Sequence, residues 1–82
     1  VVASDVVEVK LYPNPVQDDL QLSTPYTLGF DWKLYNALGQ IIQQGHQTAA
    51  NHVFHVASLE KGVYTLVIVG TEISVRQFVV EK

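Results

Sequence analysis

The chain has no cysteine, so neither a disulfide nor a thiolate metal site can support its fold. Charge is also scarce, with Asp, Glu, Lys and Arg making up 16% of the residues. The five Lys and Arg are scattered and the formal net charge is -3, which argues against the basic face of a nucleic-acid binder. No apolar run approaches the roughly 18–20 residues that a membrane helix needs. A glycine-rich phosphate loop is missing too, and none of Ser4, Ser23, Ser58 and Ser74 has a base patterned beside it, so the chain reads as no enzyme. So small a chain leaves little room for a substrate pocket, and no cofactor or small-molecule substrate is expected.

What is present is apolar and alternating. Hydrophobic residues are 48% of the 82, enough for a packed core and too many for disorder. At this length one domain is expected, spanning residues 1–82, with residues 1–6 as linker. The opening VVASDVVEVK has no continuous apolar stretch of the export-leader kind and reads as the interior of a longer chain.

The dominant period is two. Val7, Val9 and Leu11 alternate with polar neighbours, as do Leu20 and Leu22, Trp32 and Leu34, and Phe54 and Val56. Residues 63–69, VYTLVIV, are apolar on both faces, which predicts a central strand covered on both sides. The last run alternates through Ile73 and Val75. It then changes phase near Arg76 and Gln77 so that Phe78 and Val80 face the core, the signature of a β-bulge. Turn signals separate these runs at PNP, TP, ALG, TAAN, KG and GT. The pattern predicts an all-β, seven-stranded antiparallel sandwich, immunoglobulin-like, with strands near 6–12, 18–24, 31–36, 40–47, 52–57, 62–69 and 72–81.

Within it, the stretch LYPNP at 11–15 is a rigid corner. Pro13 offers no N–H to a ladder, and Pro15 restricts Asn14 to extended conformations. Such a corner suits a strand that crosses between sheets. Gly39 is expected to supply a positive φ in a hairpin turn, and Gly62 a sharp strand entry. Tyr64 and Trp32 are expected in the core, the tyrosine with its hydroxyl at a wet edge.

These motifs form an ordered set: Tyr12, Pro13, Asn14 and Pro15; then LYNALGQII at 34–42; then LEKGVYTL at 59–66, with Gly62, Val63 and Tyr64; and FVVEK at 78–82. The set resembles the C-terminal sorting domain, type A, of cargo of the type IX (Por) secretion system of Bacteroidetes. The resemblance covers about residues 7–82. It departs from the family pattern in placing Gln77 after Arg76 and the acidic Glu81 next to last. The resemblance implies an exported protein, in the periplasm in transit and then at the cell surface or outside. It implies as partners the secretion translocon and its shuttle components, a fused N-terminal cargo domain, and a sortase-like cysteine peptidase acting on the upstream linker. Phe78, Val79, Val80, Glu81 and Lys82 are the implied recognition residues, and the remaining motif positions are mostly structural.

The alternative is an immunoglobulin-like binding or support module beside a secreted enzyme, adhering to carbohydrate or protein. That reading needs an exposed aromatic platform, for which Tyr26, Phe30 and Tyr35 are the candidates. A third reading is self-association through edge strands, since QIIQQGHQT at 40–48 carries no Lys, Arg, Asp or Glu. If 40–47 and 52–57 form a hairpin, His46 and His55 lie diagonally on one face and His52 on the other. Two imidazoles without a third ligand are not a metal site, and Asp18 and Asp19 lack the spacing of a calcium loop.

Overall fold

A computed structural model of the chain describes residues 9–26 and 28–81. Seven strands follow one another: β1 (Lys10–Tyr12), β2 (Asp19–Ser23), β3 (Phe30–Tyr35), β4 (Ile41–Gln47), β5 (Asn51–His55), β6 (Gly62–Val69) and β7 (Ile73–Val80). They form two antiparallel sheets, one of order β1-β2-β5 and one of order β4-β3-β6-β7. The fold is the expected immunoglobulin-like sandwich, with no helix among the described residues. Of the first predicted strand, residues 6–8 lie outside the described residues, as do Val7, the linker 1–6 and Lys82.

The alternation that defined the strands also defines the core. Leu20, Leu22 and Phe54 from one sheet are buried, as are Phe30, Trp32, Leu34, Tyr64, Leu66, Ile68, Phe78 and Val80 from the other. Each such side chain contributes about 1.5–3 kcal/mol through burial. Val9, Val16, Tyr26 and Val56 close the same cluster from the connecting segments.

Three expectations need correction. β7 has no phase change: its pairing with β6 runs unbroken from Gly62↔Val80 to Val69↔Ile73. Phe78 and Val80 face inward in step with Ser74 and Arg76, while Ile73 and Val75 are exposed on the outer face. Apolar residues on both faces of one strand mimicked a bulge. The register irregularity instead falls between β3 and β4, where Leu34 opposes Gln43 and Tyr35 opposes Ile41, leaving Ile42 as the extra residue.

Secondly, β6 is central in its sheet but covered on one face only. Tyr64, Leu66 and Ile68 are buried, whereas Val63 and Val69 are exposed. Together with Val75, Val79 and Ile73 they leave an apolar outer face on this sheet.

Thirdly, β4 and β5 do not form a hairpin. The turn between them carries the chain from one sheet to the other, so His46 and His55 are not brought together. His46 pairs with Asp31 across β3–β4 at 2.6 Å, and His55 with Asp19 across β2–β5 at 2.9 Å.

Candidate functional site: the motif rim

The register of the four-stranded sheet gathers the motif residues at one end of the sandwich. There β3 ends, β4 and β6 begin and β7 ends, with Tyr35 opposite Thr65, Thr65 opposite Gln77, and Gly62 opposite Val80. The LYPNP corner arrives at the same end from the other sheet.

The corner is built as the sequence implies. β1 stops at Tyr12, both Xaa–Pro bonds are cis, and Pro13, Asn14 and Pro15 are exposed. Val16 then drops into the core with no exposed surface and forms a parallel bridge with Val80. Its N–H donates to the Val79 carbonyl at 2.8 Å, and its own carbonyl accepts the Glu81 N–H at 2.8 Å. The Asn14 side-chain oxygen accepts the Val79 N–H at 2.9 Å. Hydrogen bonds from Asn14 of the first motif and from Val16 just after it thus clasp the outer edge of the last strand.

The second motif, Tyr35-Asn36-Ala37-Leu38-Gly39, is a self-contained turn. Asn36 Oδ1 accepts the N–H groups of Leu38 at 2.9 Å and Gln40 at 3.0 Å, and the Gly39 N–H returns to the Asn36 carbonyl at 3.0 Å. Gly39 has φ of 83°, in the left-handed region that favours glycine, as expected for the hairpin.

The third motif supports the last strand from inside. Tyr64 is buried and donates its hydroxyl proton to the Glu60 carbonyl at 2.6 Å, and its ring stacks on Phe78 at 5.7 Å. Leu59 packs against the core, and Val63 opposes Val79 on the outer face.

Of the expected recognition residues, Phe78 and Val80 are each 1% exposed. Their side chains are core, and direct contact with a receptor is closed to them. Val79 and Glu81 are exposed at the rim. The aromatic platform does not form: Tyr26 and Phe30 are buried, and Tyr35 is half-buried. Tyr26 is anchored through its hydroxyl to the Glu72 carbonyl and Ser74 Oγ.

No group of three or more His, Cys, Asp or Glu side chains converges among the described residues. His52 lies against Trp32 and Phe54. Burial lowers its pKa from the ordinary histidine value, and the nearby His55 lowers it further. Sequence reasoning missed Val16, because a single valine between turn residues shows no period. It also missed the two Asp–His pairs, which only the cross-strand register reveals.

The signature residues of this small sandwich serve its own fold and gather at one end. The secretion-system C-terminal sorting domain, Por_Secre_tail, matches residues 10–81, and the chain belongs to that family, the sorting domains of type IX secretion. It is a family of secretion signals and not of enzymes. No curated protein matches the chain. Among solved structures it is similar to PorZ, an essential bacterial surface component of the type IX secretion system of Porphyromonas gingivalis, with TM-score 0.75 and 17% identity. The match covers 90% of this chain and 11% of the PorZ chain. At that identity the likeness speaks for the shared fold.

Proposed function

We propose that this domain is an export address, read in its folded form by the type IX translocon and its shuttle components. A cargo domain fused N-terminal to it crosses the periplasm, and the machinery takes the fusion across the outer membrane to the cell surface or beyond. A sortase-like cysteine peptidase then cuts the linker at or before residues 1–6. The bond-breaking chemistry belongs to that peptidase, and this chain is its substrate.

The observation that carries this reading is the convergence of the family's motifs on one rim, with the last strand clasped there by the first motif. Backbone pairing by a receptor is blocked where Val79 and Glu81 are already engaged by Asn14 and Val16. Recognition at this end therefore reads the exposed side chains of Val79 and Glu81, while Phe78 and Val80 hold them in place.

The test fuses residues 1–82 to a periplasmic reporter in a bacterium with this system. Val79→Lys and Glu81→Lys change only the rim surface, whereas deleting 79–82 also removes the core residue Val80. The parent fusion is expected at the surface or in the medium. The surface variants are expected to stay folded and protease-resistant in the periplasm. A parent fusion that never leaves the periplasm defeats the address reading. Normal export of both surface variants defeats the assignment of recognition to Val79 and Glu81.

A further inference from the structure

The edges of the two sheets are treated unequally. On β7, the Arg76 guanidinium donates to the carbonyls of Val75 and Val9, and Asn14 and Val16 take the backbone of Val79 and Glu81. β1 is a three-residue edge that carries Lys10. Among the described residues β4 has none of these protections, and its one irregularity is the bulge at Ile42 near its start. The strand is seven residues long, pairs among the described residues only with β3, and is exposed throughout except for the half-buried Gln47. No Lys, Arg, Asp or Glu occurs from residue 40 to 48. Natural sheets blunt a long exposed edge with charge, proline or a covering segment, because unpaired N–H and C=O groups template further pairing.

β4 also runs close against Trp32. Its inner side is opened by Gly45, where an added Cβ would lie 3.0 Å from the Trp32 ring. The glycine lets β4 ride close over Trp32.

We propose that β4 is a docking edge for a second copy of this chain, paired antiparallel to its own β4 about a two-fold axis through Gln44. Gln44 is the middle residue of the strand, and this register is regular across residues 43–45 and reaches the bulge at Ile42. It sets Gln44 against Gln44, Gln43 against Gly45 and Ile42 against His46. A primary amide both donates and accepts, so glutamine opposite glutamine is self-complementary. Nothing in the register opposes like charges, because the strand is neutral and His46 is already paired with Asp31. A two-fold contact of this kind uses the same patch on both copies and closes on itself. It joins the two four-stranded sheets into one continuous sheet and leaves the β7 end of each motif rim, with Val79 and Glu81, free. The pairing stands independently of the export reading.

The experiment measures self-association of the isolated chain by sedimentation equilibrium. Gln44→Lys places two ammonium groups opposite each other and is expected to weaken the dimer at least about tenfold without changing the β-sheet circular dichroism spectrum. The native chain has no cysteine, so Gln44→Cys introduces a single thiol. Mild oxidation is expected to link it to its symmetry mate, while a thiol at the exposed turn residue Ala37 stays unlinked under the same conditions. A native chain that is monomeric at about 1 mM leaves the edge to a strand of some other protein and overturns the proposal. So does a dimer that Gln44→Lys leaves unchanged, or equal cross-linking at positions 37 and 44.

Discussion

The backbone N–H of Val79 donates to the side-chain oxygen of Asn14 at 2.9 Å, across 65 residues of sequence. One residue of the first motif thereby holds the strand that carries the last. Val16 continues the clasp with its backbone on Val79 and Glu81, so the two ends of the motif set form one surface. The asparagine between two prolines is thus more than a corner residue. The prolines offer no N–H of their own, and the asparagine supplies the acceptor that the edge of β7 needs.

Asn14→Ala should remove that acceptor and loosen the end of β7. The bond is solvent-exposed, so the expected loss is about 0.5–1.5 kcal/mol, read from the midpoint of urea unfolding. Amide exchange should speed up at Val79 while Leu66, in the middle of the sheet, is unchanged. Unaltered exchange at Val79 would show that the clasp contributes nothing.

Gly39 tests the turn. No atom lies within 4 Å of a Cβ built there, so the cost of a side chain is conformational and not steric. Gly39→Val should destabilise by about 1–2 kcal/mol, and Gly39→Asn by distinctly less, because asparagine tolerates a positive φ better than a β-branched residue. Equal midpoints for the two variants would contradict this account.

Gly70 tests packing instead. A Cβ there would stand 2.6 Å from the Tyr26 ring, which is held by its own hydroxyl bonds. Gly70→Ala should cost about 1–3 kcal/mol by overpacking, and Gly70→Ala combined with Tyr26→Leu should cost less than the two single changes summed.

His52 sets a pH dependence. Its folded pKa lies below the ordinary value near 6.5, first because burial disfavours the imidazolium and second because of His55. Between the two values the unfolded chain binds more protons than the folded one. The contribution of His52 is therefore complete above about pH 6.5 and is lost as pH falls through the lowered folded value. Unfolding midpoints taken from about pH 7 down to about pH 5 should fall less steeply for His52→Gln than for the parent. Parallel curves would show that His52 does not titrate differently on folding.

The address reading and the docking edge are separable in experiment because they occupy different parts of one sheet. Val79 and Glu81 stand where β7 ends, and β4 lies on the opposite edge of the sheet. A Gln44→Lys domain should therefore still export a fused reporter if both readings hold.

The sequence alone determined what depends on near neighbours. A period of two placed Leu20, Leu22, Trp32, Leu34 and Phe54 inside, because alternate side chains of a strand face opposite ways whatever the strand pairs with. Gly39 was legible because its turn is closed by Asn36, three residues away. The family resemblance was legible in the order of the motifs. Only the tertiary structure decided which strand lies beside which. The separation of β4 from β5, the unbroken register of β7 and the clasp of Asn14 on Val79 all depend on contacts between segments far apart in the chain. A local pattern specifies which face of a strand is apolar. Its neighbours and its free edges are set by the joint packing of all seven strands, and so are the sites that those edges create.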